Sequence, residues 1–279
     1  MTFTTFTTFR AAALATCLHV VLGGAAHATQ ERPFAVDGEV ALAAFIALSD
    51  GHLIKVADSL HIFAQGEAAR SAAWGRIKDP YADVAERNVS ALNWFALPDG
   101  AYWSVQEGKA EGNLAERSYF PRVLAGETII GELVVSKATG KPVAIVAVPV
   151  MGDDEAVVGV LGASVYLDRL SDLIREQMSL DESTVFYSFD RAPLVALDWD
   201  PGLIFLDPRR LGEPDLIRAF EEMLAADEGV VNYTFRGRER TAIFRHSPVT
   251  DWWYVLGVVP QGREAPSGEI SVPAGSGGD

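Results

Sequence analysis

The side chain with the most legible chemistry is Arg117, in the run Asn113-Leu114-Ala115-Glu116-Arg117-Ser118-Tyr119-Phe120. A guanidinium presents a planar fork of donors that meets a carboxylate in two parallel hydrogen bonds. Tyr119 stands two residues on, and its ring and hydroxyl can wall and cap a small polar ligand. Two roles for Arg117 are open: anchor for an anionic ligand, or structural pair with Glu116 or Glu111. Catalytic readings lack a constellation. After residue 28 the histidines are His52, His61 and His246, none at a metal-ligand spacing, and there is no HExxH pattern. Asp198-Trp199-Asp200-Pro201-Gly202 resembles the start of a calcium loop, but proline and glycine displace the spacing and the distal Glu is missing. Ser164, in Gly162-Ala163-Ser164-Val165-Tyr166, is no nucleophile elbow, since no glycine stands two residues after it. The expectation is recognition rather than turnover, with no metal and no cofactor.

A loop carrying Arg117 must be positioned by strands. A strand at 91–97 reaches the turn Pro98-Asp99-Gly100 and pairs with a short aromatic strand at 102–105. Three apolar runs follow the loop, at 128–136, 142–150 and 156–167, separated by Thr139-Gly140-Lys141 and Gly152-Asp153-Asp154. Links this short join antiparallel neighbours, so the three runs form a meander. Tyr102 and Trp103 point to opposite faces of their strand, and either is a candidate for the pocket wall.

Residues 36–66 carry Leu42, Phe45, Ser49, Leu53, Val56, Leu60 and Phe63 at helical steps. That predicts a helix about 45 Å long, whose stripe suits core packing, with a dimer seam as the alternative. Shorter helices are expected at 67–78 and 81–89, divided at Pro80, and an amphipathic one at 167–178. Strands are expected at 184–189 and 194–197, then a helix opening at Glu213-Pro214-Asp215. Strands at 230–236, 239–246 and 252–259 complete the pattern, the first two joined through Arg236-Gly237-Arg238. The second half echoes the strand order of the first, which points to duplication. Trp74, Trp94, Trp252 and Trp253 are expected in the core.

A family resemblance rests on Asp99-Gly100-Ala101-Tyr102, Asn113-Leu114, Arg117-Ser118-Tyr119-Phe120, Gly126, Thr139-Gly140-Lys141-Pro142, Ala147-Val148-Pro149-Val150 and Gly159-Val160-Leu161-Gly162. In this order they resemble the extracytoplasmic sensor modules called Cache domains, in their double form, over about residues 36–260. The resemblance implies an α/β (α+β) fold. A long N-terminal helix would run along two stacked PAS-like modules, each with an antiparallel sheet: residues 36–178, holding the ligand, and a smaller module at 179–260. In amino-acid-binding relatives an Arg-x-Trp-Tyr element contacts the ligand carboxylate, and an acid on the module's last strand holds the amino group. Here Arg117-Ser118-Tyr119-Phe120 keeps the Arg and two aromatics. Ser164 stands near the acid's place, and a Tyr expected upstream of Arg117 is missing. The resemblance therefore implies a small carboxylate or similar anion rather than an α-amino acid. The site residues would be Arg117, Tyr119, Tyr102, Trp103 and Ser164.

Residues 1–28 read as a cleaved export signal: an apolar run at 11–22 and then Ala26-His27-Ala28. Lipidation at Cys17 is the alternative. The chain has 279 residues, 49% hydrophobic and 22% charged, with net charge −15. Such a chain builds a core, and its acidity disfavours nucleic acid and anionic membranes as partners. Cys17 is its one cysteine, so disulfides are not expected. No later apolar run approaches the length of a membrane span. The expectation is a stand-alone periplasmic sensor, monomer or weak dimer, relaying ligand binding to a membrane sensor or transporter in a chemotaxis-like manner. An interaction protein with a vestigial pocket, or a periplasmic hydrolase, are the alternatives. Residues 261–279 are expected to be disordered.

Overall fold

A computed structural model describes residues 37–267; the expected export signal, Cys17 and the tail beyond residue 267 lie outside the described residues. Helix α1 spans Gly38–Ala64, opened by Asp37, whose carboxylate accepts the Glu39 amide. Over one 18-residue window its mean hydropathy is 1.6, enough by length and composition for a membrane span. Here its stripe, from Leu42 through Phe45, Leu53, Val56 and Leu60, is buried in the protein's core. Phe45 meets Phe186 and Tyr254 edge-on, with centroids 5.2 and 5.0 Å apart.

Helices α2 (Glu67–Arg70) and α3 (Trp74–Ala85) follow. The expected division at Pro80 is wrong: Pro80 lies inside α3. The break falls at Ala72, whose φ of 50° is left-handed and cannot continue a helix.

The first sheet is built from β1 (Ala91–Ala96), β2 (Ala101–Ser104), β3 (Gly108–Asn113), β4 (Ile129–Val135), β5 (Pro142–Met151) and β6 (Val157–Tyr166), with α4 (Phe120–Leu124) between β3 and β4. Its spatial order is β3-β2-β1-β6-β5-β4. Helix α5 (Leu167–Met178) leads to the second sheet: β7 (Thr184–Phe189), β8 (Val195–Asp198), β9 (Glu228–Phe235), β10 (Arg238–Ser247) and β11 (Trp252–Val258). Helix α6 (Pro214–Leu224) precedes β9, and the sheet order is β8-β7-β11-β10-β9. All these pairings are antiparallel. Without β3, the first sheet has the same order as the second: second strand, first, last, fourth, third. The duplication expected from the sequence is therefore present in topology. Strand β3, Gly-Lys-Ala-Glu-Gly-Asn, was expected as loop, because it is a mostly exposed edge strand without an apolar face.

Alternation along the strands gives each sheet two apolar faces. In the first sheet, Phe95, Ala144, Val146, Leu161 and Ala163 join the core shared with α1, while Trp94, Tyr102, Ile145 and Val160 face a separate cluster under α4. In the second sheet, Phe186, Tyr254 and Leu256 join the α1 core, while Tyr187, Phe189, Tyr233 and Trp253 face α6.

One contact fastens α1 to the second sheet, and another ties the two sheets together. Asp50 on α1 is 6% exposed and accepts from Ser247 Oγ at 2.6 Å, Tyr254 Oη at 2.8 Å and Thr250 Oγ1 at 3.4 Å. Gly131 forms a bulge in β4 at φ 90°, and its carbonyl accepts from Trp252 Nε1 at 3.0 Å. A Cβ at Gly131 would stand 3.1 Å from Thr250.

Residues 261–267, the start of the tail expected to be disordered, make several polar contacts. Arg263 donates from its amide to Glu182 O and from Nη1 to Thr184 O, Glu264 pairs with Arg240, and Ser267 holds Asp200. These contacts are polar bonds rather than apolar burial.

Candidate functional site

The loop that carries Arg117 is fixed from the Pro98-Asp99-Gly100 turn. Asn113 donates from Nδ2 to Asp99 O at 2.9 Å and accepts the Ala115 amide at 2.7 Å. Gly100, at φ 83°, is required: a Cβ there would lie 2.2 Å from Asn113 Oδ1. The Arg117 amide then donates to Leu114 O at 3.0 Å, and Phe120 begins α4, which closes the loop onto the sheet.

Beneath this loop is a cavity of about 20 Å³, lined by Arg117, Tyr119, Tyr102, Trp94, Ser164 and Lys137 among others. The structure thus gathers Arg117, Tyr119, Tyr102 and Ser164 at one place. Trp103 is not among them. It projects to the opposite face of β2, where it stacks on Trp74 with centroids 6.4 Å apart. The alternation of β2 leaves room for one aromatic residue on the cavity side, and it is Tyr102.

Arg117 is half-buried, and its Nη2 donates to Val135 O at 2.7 Å. The anticipated partners Glu116 and Glu111 do not hold it. Glu116 instead lies 3.7 Å from Lys137, whose Nζ also donates to Asn113 O at 3.1 Å. Ser164 faces Leu92 on β1 and Ile145 on β5, and its Oγ accepts from Trp94 Nε1 at 3.1 Å. That bond leaves the hydroxyl proton free to donate.

The Tyr119 phenol is pushed up by burial, with the Arg117 charge partly opposing the shift. Burial also raises Tyr102, Glu107 adds to the shift, and Arg117 opposes it. Both phenols therefore stay protonated at neutral pH and can act as donors. Ser118, next to Arg117, is turned away and donates to Glu132 at 2.9 Å.

Sequence reasoning missed Lys137 and Ser136 and assigned Trp94 to the core alone. Trp94 is 2% exposed, yet it also walls the cavity. No signal near them in sequence marks Lys137 and Ser136; they reach the cavity because Arg117 bonds Val135 O, just before them. No cluster of His, Cys, Asp and Glu that could hold a metal occurs among the described residues.

A family model described as a Cache domain, of the double type, matches residues 43–263. Among solved structures, the ligand-binding domain of the Pseudomonas fluorescens chemoreceptor CtaA with L-isoleucine is similar at 16% identity and TM-score 0.59, covering 80% of this chain and 90% of that one. The periplasmic sensory domain of the Campylobacter jejuni chemoreceptor Tlp1 is similar at 11% identity and TM-score 0.60, covering 81% and 95%. The ligand-binding domain of the Pseudomonas aeruginosa amino acid chemoreceptor PctB with L-Arg is similar at 16% identity and TM-score 0.58, covering 80% and 92%. No curated protein matches the sequence significantly. At these identities the structural likeness speaks to fold. With the family match over most of the chain, the conclusion is that this protein belongs to the Cache domain family in its double form.

Proposed function

We propose that the chain is an extracytoplasmic sensor that binds a small carboxylate in its first module, anchored by Arg117. The observation that carries this reading is the charge of the lining. Two cations, Arg117 and Lys137, meet the neutral hydroxyls of Tyr102, Tyr119 and Ser164, and no Asp or Glu lines the cavity. A carboxylate would find only donors there. The ammonium of an α-amino acid, the ligand class in the CtaA and PctB structures, would find two like charges and no acid in the lining, with Glu116 held outside it by Lys137.

At about 20 Å³ the cavity has room for about one water. Binding requires Arg117 to leave Val135 O and turn its fork inward, with the loop at 113–124 lifting off the sheet. The energy of that opening is subtracted from the affinity. The same small volume favours a second reading, an accessory protein with a vestigial pocket.

A thermal-shift screen of acetate, lactate, succinate and alanine separates the two. A binder gains about 2.7 kcal/mol at a hundredfold excess over Kd. Arg117→Ala should weaken a carboxylate by at least about tenfold, and Arg117→Lys nearly as much. Ser164→Asp should weaken it by repulsion. If no acid raises the melting temperature, the pocket is vestigial. If Arg117→Ala lowers stability but leaves affinity unchanged, Arg117 only fastens the loop.

A further inference from the structure

The second sheet offers the same place again. Helix α6 covers its outer face as the loop and α4 cover the first, and between them lies a cavity of about 30 Å³. Its lining includes Tyr187, Asp198, Phe220, Tyr233 and Arg240. Arg240 is 4% exposed, and its Nη2 is held by both carboxylate oxygens of Glu264 at 2.9 Å each. Its Nε–H is buried and makes no hydrogen bond of good geometry, although the guanidinium stands within reach of the Tyr233 hydroxyl. Native proteins rarely leave such a donor unmet, least of all on a buried cation. Asp198 is also 4% exposed, and one of its oxygens accepts the Asp200 amide at 2.8 Å. No ion pair joins Asp198 to Arg240 among the described residues. The hydroxyls of Tyr187 and Tyr233 lie 2.9 Å apart in the same cavity.

We propose that this cavity is a second ligand site, for a small carboxylate that bears a hydroxyl or ammonium on the adjacent carbon. The ligand carboxylate takes the Arg240 fork, including the Nε–H that Glu264 leaves unused. The open oxygen of Asp198 accepts from the hydroxyl or ammonium. In this structure Glu264 stands in for the ligand: it is a carboxylate already seated on the guanidinium. It arrives on the segment 261–267, which is tethered by Arg263 to Thr184 O and by Ser267 to Asp200 at 2.7 Å. Ligand and Glu264 therefore compete for one cation, and exchanging one for the other leaves the buried charge balanced. The cavity itself has room for about one or two waters, and the space on Arg240 that the Glu264 carboxylate vacates adds to it. The site differs from the first in having its own acid: burial raises the Asp198 carboxyl well above the usual carboxylate range, against the lowering effect of Arg240 and Arg236, and an ammonium seated beside it favours the charged form that burial disfavours.

The test uses the full chain with 13C-labelled tyrosine, observed by NMR during titration with glycolate, lactate, glycine, alanine and acetate. Tyr187 and Tyr233 report this site; Tyr102 and Tyr119 report the first one, so the two proposals stand or fall separately. The expected result is saturable movement of Tyr187 and Tyr233 with at least one hydroxy or amino acid, and weaker binding of acetate. Glu264→Gln removes the competing charge at a largely buried but peripheral position. It should tighten binding by about tenfold, the scale of one charge-assisted bond. Arg240→Lys, checked for an intact melting transition, should lose it. The proposal is overturned if Tyr187 and Tyr233 stay still with all four hydroxy and amino acids in both the parent and Glu264→Gln. Equal binding in the parent and Glu264→Gln overturns it as well.

Discussion

Asp50→Ala tests how α1 is joined to the second sheet. Asp50 lies in mid-helix and collects Ser247, Thr250 and Tyr254, residues about two hundred positions away in sequence. Removing the carboxylate strips the short acceptors from Ser247 and Tyr254, which are 2% and 0% exposed. Thr250 and Tyr254 keep their mutual contact at 3.4 Å, and Tyr254 keeps the Ser49 hydroxyl beside it. At about 1–3 kcal/mol for each of the two orphaned buried hydroxyls, the loss is about 2–6 kcal/mol. For a protein of this size that lowers Tm by roughly 5–20 °C in calorimetry. Asp50→Asn keeps an acceptor oxygen and should cost less.

The pH dependence of stability sharpens this test. Burial raises the Asp50 carboxyl above its usual 3.8, against the lowering effect of the Ser247, Tyr254 and Thr250 hydroxyls. A raised acid contributes stability that is fully present below pH 3.8 and is lost as pH rises through its folded value. Asparagine has no such loss, so Asp50→Asn should gain on the parent as pH rises through that window. If Asp50→Ala melts within about 2 °C of the parent, or if the parent and Asp50→Asn run parallel with pH, the joint is not what the geometry implies.

Two further substitutions separate fold from binding. Trp103→Ala removes the ring stacked on Trp74, on the sheet face away from the cavity. Chemical denaturation should show a loss of about 1–3 kcal/mol, with the affinity for any first-module ligand unchanged; a drop in affinity would return Trp103 to the site. Gly162→Ala places a Cβ 2.1 Å from the Trp94 indole, which must then leave both its slot and Ser164. A loss of about 1–3 kcal/mol or more is expected, together with first-module binding; a variant of parental stability would show that the indole is not locked.

Most of the architecture was legible because apolar runs and turn residues mark the strands directly. The meander of β4, β5 and β6 and the hairpin of β1 and β2 both stand where those runs predict. What failed had no local signature. The helix break at Ala72 uses a left-handed alanine, and β3 has no apolar periodicity to announce it. Arg117 was recognisable from its donor geometry and its aromatic neighbours. Lys137 lies twenty residues further on and joins the same cavity only through the pairing of β4 with β5. Arg240 was hidden for a different reason. Between Glu239 and Thr241 it reads as solvated, yet its position opposite Tyr233 turns it to the covered face of the sheet. Asp200, in the supposed calcium loop, spends its oxygens on the Gly202 amide, Ser267 and Arg236 instead.

The bulge at Gly131 has a consequence for the free molecule. Strand β4 is an edge of the first sheet, and an edge strand exposes a row of amides and carbonyls on which another chain can build. At Gly131 the row is bent out of line, and the Trp252 indole occupies its carbonyl. Thr250 packs so closely that no side chain larger than hydrogen fits without displacement. A second copy approaching this edge meets a ladder that is bent and already hydrogen-bonded at that point. The contact that fastens one sheet to the other thus also protects the protein against edge-to-edge aggregation.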